Sequence, residues 1–195
     1  MTLAQIGLFL LGCSGGAMVI LGRDRRWRLG GLAGAFAVQA GALWLAGAPV
    51  AAATRLIAGW IGCGVLGLTV KQEARWAPAQ EQGGAGFRIL AVLLVGAAAG
   101  GLGAAGWDSI AQIAWPQGAL SGVWLGIGML GLGLASDAFD AGTSLLVCMA
   151  GFEAAYTVME TSLALLALLA ALQIGMALVV AYMLDAAERA RGEAG

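Results

Sequence analysis

"GTSLLVCMAGFEAAYTVM", residues 142–159, is an eighteen-residue run whose only carboxylate, and only Asp, Glu, Lys or Arg, is Glu153. About 20 predominantly apolar residues are needed to cross the hydrocarbon core of a bilayer as a helix. A stretch of this kind therefore reads as a membrane helix with a carboxylate held at depth. An isolated charge there costs roughly 2.5–3.5 kcal/mol on insertion scales. Such a residue has either a partner or a task, and the rest of the chain has to supply one or the other.

Outward from this run the chain keeps the same character. Of its 195 residues, 61% are hydrophobic and 11% charged, and the mean hydropathy is +0.88. A soluble domain carries about 25% charged residues, so the expected class is an integral membrane protein in contact with the lipid bilayer. The net charge of −1 offers no basic surface for nucleic acid apart from membrane-flanking arginines. The first segment has no basic n-region and runs on as a full span, so no cleavable signal peptide is expected.

The chain has no histidine, which excludes bis-histidine haem ligation, histidine-containing zinc sites and histidine general-base catalysis within it. Cys13, Cys63 and Cys148 lie singly near the centres of three apolar segments with no CxxC pair, and they read as buried thiols. No cofactor or metal is implied. No nucleophile–base pair is visible either, so an enzyme active site is not expected in this chain.

Seven segments have the length and apolarity of spans: 3–22, 29–48, 51–70, 88–106, 118–135, 142–159 and 162–184. The expected fold is an all-α, polytopic transmembrane helix bundle forming one domain. It divides into a three-helix group (1–70), a linker loop (71–87), a four-helix group (88–185) and a tail (186–195). A six-span arrangement, with two segments merged or re-entrant, is the alternative. Basic residues sort the loops: Arg23, Arg25, Arg26 and Arg28 in loop one, Lys71, Arg75 and Arg88 in loop three, Arg189 and Arg191 in the tail. With seven spans these all fall on one side. That predicts a multi-pass protein of the cell's inner membrane, N-terminus outside and C-terminus in the cytoplasm. Trp27, Trp76, Trp107 and Trp115 fall at the expected interfaces. Glycine pairs such as Gly12/Gly16, Gly96/Gly100 and Gly122/Gly126 predict close helix packing.

Few polar residues lie at membrane depth. Gln39 is central in span two and Gln173 in span seven, and both read as hydrogen-bonding links between helices or as members of a polar path. Glu160 follows Glu153 by almost two helical turns, with Tyr156 and Thr157 between them on one polar stripe. Glu153 itself reads as a buried, protonated, hydrogen-bonded acid or as a proton- or ion-path carboxylate. Arg55, one turn into span three, reads as a side chain snorkelling to the outer headgroups or as an arginine facing a carboxylate. Asp137 and Asp140 in "SDAFDAG" read as a solvated acidic turn.

"GRDRRWRLGGLAGAFAVQA" resembles the arginine-flanked turn and following helix of the hydrogenase-4 component E family. "LGIGMLGLGLASDAFDAGTSLLVCMAGFEAAY" is similar to that family's glycine-rich span, polar turn and glutamate-bearing helix. The last span, "LLALLAALQIGMALVVAYML", looks like the closing helix of the K-type subunits of complex I and of Mrp antiporters. The resemblance implies that Glu153 stands for the family's membrane glutamate and Gln39 for its second-span glutamine. Where the family pattern has Glu-Asn-Gly, this chain has Glu153-Ala154-Ala155. By resemblance, the chain is an accessory membrane subunit of a complex I-like, membrane-hydrogenase-like or Mrp-like assembly. Its partners would be antiporter-like subunits, and its carboxylate would belong to a proton or ion path. A free-standing small transporter or channel, and a purely structural subunit of a respiratory or photosynthetic complex, are the alternatives.

Overall fold

In a computed structural model the described residues are 3–22, 24–72, 84–111, 115–159 and 162–193. They form seven α-helices and no strand: α1 (Leu3–Leu21), α2 (Arg25–Leu45), α3 (Pro49–Gln72), α4 (Ala85–Ala111), α5 (Trp115–Gly133), α6 (Ala138–Met159) and α7 (Leu163–Glu193). The shortest have 19 residues, which at 1.5 Å per residue is about 28 Å. Each predicted span coincides with a helix. The last runs on beyond its predicted end, because the polar stretch after Leu184 continues as helix to Glu193.

Local chemistry explains the tight connections. Gly47 takes φ 80°, a left-handed geometry that a glycine adopts without Cβ strain. Its N–H bonds the Trp44 carbonyl and the Ala48 N–H bonds the Leu43 carbonyl, the paired bonds of a Schellman stop. Pro49 then opens α3, where its missing N–H has no helical partner to lose.

The helices alternate in direction and stack in register. Helices α1–α2–α3 are joined as neighbours, α4–α5–α6 likewise, and α7 fits between α3 and α6. Between the groups α1 meets α5, α2 meets α6 and α3 meets α7. Gly12 packs on Leu120 and Gly16 on Trp124, so α1 and α5 run parallel. Ala51 and Ala52 cluster with Leu166 while Gly62 faces Ala177, so α3 and α7 run parallel too. The α1–α2 and α5–α6 turns, the start of α4 and the end of α7 consequently share one end of the bundle. Arg25, Arg26, Arg28, Arg88 and Arg189 gather there. Among the described basic side chains Arg55 alone lies elsewhere.

Among the described residues, three helices are long and apolar enough to cross a membrane: Pro49–Val70 of α3, Ala85–Gly106 of α4 and Leu163–Ala187 of α7. That is the mark of a membrane protein. They are outer helices, with 39%, 11% and 28% of their most apolar windows buried. Leu90, Leu93, Leu94 and Leu102 of α4 are all exposed. Helices α2, α5 and α6 carry most of the buried polar side chains. They lie inside the bundle, where small and polar residues meet protein rather than lipid, and they supply Phe36, Trp124, Phe139, Leu146 and Val147 to the core.

Small residues set the closest approaches. In the α4–α5 seam a Cβ on Gly122 would overlap the Ala99 carbonyl oxygen and crowd the Cα of Gly103. Gly122→Leu is expected to force the two backbones apart, at about 1–3 kcal/mol or more for overpacking. Unfolding in mixed detergent–lipid micelles checks it, with Gly101→Leu, where nothing lies within 4 Å of the added Cβ, as a control near wild type.

Candidate functional site

Arg55 and Glu153 are both fully buried, and Arg55 Nη1 stands 2.5 Å from Glu153 Oε1. The pair joins α3 to α6. Arg55 lies six positions after the start of α3 at Pro49, and Glu153 six positions before the end of α6 at Met159. Both charges thus sit about 9 Å inside the end opposite the arginine cluster. The snorkelling reading of Arg55 is corrected here. Its guanidinium turns inward, because a carboxylate in a low-dielectric interior attracts it far more strongly than one in water.

Helix register brings two more polar side chains to this level. Gly59 packs on the Phe36 ring and Gly67 approaches Leu29, so antiparallel α2 places Ala40, and Gln39 beside it, level with Arg55. Gln39 Nε2 donates a long bond, 3.4 Å, to the Ala150 carbonyl one turn before Glu153. The parallel α3–α7 register places Gln173 level with Ala58, one turn from Arg55. Gln39 and Gln173 are 2% and 1% exposed. Four helices therefore each contribute one polar side chain to a layer roughly 5 Å thick.

This layer is under-satisfied. Among the described residues, every buried side-chain nitrogen or oxygen without a well-formed hydrogen bond belongs to it. These are Gln39 Oε1, three guanidinium nitrogens of Arg55, both oxygens of Glu153, and the Oε1 and Nε2 of Gln173. The Arg55–Glu153 approach is thus ionic contact without good hydrogen-bond alignment. A guanidinium offers five donors and a carboxylate about four acceptor sites, and one contact uses little of that capacity. Each unmet buried group costs about 1–3 kcal/mol. Elsewhere the interior meets its needs: Ser121 Oγ donates to the Gly151 carbonyl at 2.7 Å, Trp124 Nε1 to the Gly12 carbonyl at 2.9 Å, and Thr157 Oγ1 to the Glu153 carbonyl at 2.6 Å.

A second charged cluster lies at the basic end, where a merely solvated turn was expected. Arg28 pairs with Asp140, both buried, and Arg25 pairs with Asp137 at 2.8 Å while resting on the Phe139 ring. Arg28 Nε also donates to the Gly22 carbonyl. These pairs fasten the α1–α2 turn to the α5–α6 turn. Arg25/Arg28 and Asp137/Asp140 share one three-residue spacing, a match that acquires meaning only once the two parallel helix starts are docked.

Of the expected site residues, the structure brings Arg55 to Glu153 and places Gln39 and Gln173 beside them. Glu160 lies outside the described residues, as do Trp76 and the side chains of Trp107 and Trp115. No family model, curated protein or solved structure matches the chain.

Proposed function

We propose that the chain is a seven-span subunit of a larger assembly in the cell's inner membrane, N-terminus outside, lending the Arg55–Glu153 layer to a proton or ion path. The observation that carries this reading is the concentration of unmet buried polar atoms in one four-helix layer. A pair kept only for stability is expected to be fully hydrogen-bonded, since its desolvation is otherwise not offset. Polar groups left with spare capacity at one level suit transient partners such as protons or small hydrated ions. The sequence resemblance to hydrogenase-4 component E and K-type subunits supplies the class of host: complex I-like, membrane-hydrogenase-like or Mrp-like, with antiporter-like neighbours.

The gathering of arginines at one end supports the orientation, because the basic end belongs in the cytoplasm. In a chain with Cys13, Cys63 and Cys148 replaced by alanine, a cysteine at Gly84 and another at Gly195 should both react with impermeant thiol reagents only from the cytoplasmic side. Reaction from opposite sides would overturn the seven-span arrangement. Mild-detergent purification should bring further membrane subunits with the chain. Purification as a homogeneous lone monomer would contradict the subunit reading.

A further inference from the structure

The end of α1 and the start of α2 form a groove of about 630 Å³ at the arginine-rich end of the bundle. Ser14, Ala17, Met18 and Leu21 line its length, and their three- and four-residue spacing makes them one face of α1. From Ser14 to Leu21, the last residue of α1, the groove runs about 10 Å along the helix axis. Of these four side chains only Ser14 is polar, and its hydroxyl donates to the Leu11 carbonyl at 2.8 Å. This length of groove suits hydrocarbon.

The mouth differs in chemistry. Asp24 and Trp27 line it, three residues apart at the start of α2, and so share one side of that turn. Asp24 is the N-cap, a position where an aspartate ordinarily accepts a backbone N–H of the first turn. Here it makes no side-chain capping bond and lines the groove instead. Its neighbours Arg25 and Arg28 are engaged by Asp137 and Asp140. Trp27 is 59% exposed, an indole left uncovered where membrane head groups lie. A carboxylate beside an aromatic face is a pairing that recognises an ammonium.

We propose that this groove binds a phospholipid with an ammonium in its head group, of the phosphatidylethanolamine type. The ammonium sits between Asp24 and Trp27, and one acyl chain follows Leu21, Met18 and Ala17. The volume falls within the roughly 300–1,000 Å³ of small-molecule sites. A lipid presents charge and then hydrocarbon from the interface inward, the order in which the groove offers its two parts. The arginine-rich turn around the mouth suits the head group's phosphate. A soluble ammonium ion would leave the apolar length empty. The site is independent of the Arg55–Glu153 layer.

Native mass spectrometry of the detergent-purified chain, titrated with phosphatidylethanolamine or phosphatidylglycerol, tests the head group. A cation–π contact and an exposed ion pair together support a preference of about five-fold for the first phosphatidylethanolamine bound. Asp24→Asn and Trp27→Leu should each reduce that preference and the double variant abolish it, while Asp24→Glu keeps it. Both side chains are exposed, and asparagine caps a helix as well as aspartate does, so the fold is not at stake. Phosphatidylethanolamine with a photoreactive group in its upper acyl chain should cross-link to residues 14–21. Equal binding of the two lipids would mean unselective boundary lipid, and tighter phosphatidylglycerol would assign the selection to the arginines. Either overturns the proposal. So does a preference that survives in the double variant, or a cross-link that falls elsewhere or on a co-purifying subunit.

Discussion

Glu153→Gln should destabilise the bundle by about 3–5 kcal/mol, the cost of leaving a buried charge without its partner, and Arg55→Gln by less. The asymmetry follows from the two groups' chemistry. A guanidinium cannot shed its charge in a protein, so Arg55 left alone at 0% exposure stays cationic in the interior. A carboxylate left alone takes up a proton and becomes neutral, which is far less costly than an isolated buried ion. The double variant Arg55→Gln/Glu153→Gln has no buried charge and should recover most of the lost stability, since replacing both members of a buried pair is often close to neutral. A double-mutant cycle from denaturant unfolding in mixed micelles measures all three. Equal small losses in both single variants, with no recovery in the double, would show that the charges do not face each other.

This expectation revises what a single glutamine substitution can reveal. For a lone intramembrane acid, Glu→Gln keeps the shape and removes only the titratable proton. With Arg55 in contact the same change strands a cation, and a lost activity would then report misfolding as readily as a lost proton path. The pairing has to be removed as a unit before function is read.

The helices were legible because apolarity is additive along the chain. Runs such as Leu163 to Leu184 announce themselves without any knowledge of their neighbours, and tight stops such as Ala46-Gly47-Ala48 follow from local backbone chemistry. Glu153 was legible for the same reason, as a single carboxylate in an apolar run. Its partner was legible only as one of two readings of Arg55. Arg55 lies near the start of its helix, where a long cationic side chain ordinarily reaches for headgroups. Only the register of α3 against α2 and α6, set by contacts such as Gly59 on Phe36, turns it inward. Asp140 was misread likewise: a short acidic turn looks solvated until Arg28 from a distant turn is packed against it. Spacing along a chain predicts neighbours within a helix, whereas ion pairs between helices depend on how whole helices dock.

The largest functional effect belongs to the charge-free double variant Arg55→Gln/Glu153→Gln. Its fold should be retained and its partners should still co-purify, because the amides preserve bulk and hydrogen-bonding groups at both positions. What it lacks is any side chain in the layer able to take up and release a proton, since Gln39 and Gln173 do not titrate. A positioned proton-transfer group contributes about 10²–10⁴-fold to a rate. Proton translocation should therefore fall on the order of 100-fold, the low end of that range. The decisive measurement is proton uptake by inverted membrane vesicles, per assembled complex, for the wild type and this double variant. Normal assembly with translocation nearly abolished is expected. Normal assembly with wild-type translocation would contradict it, and would make the Arg55–Glu153 pair a structural fastening only.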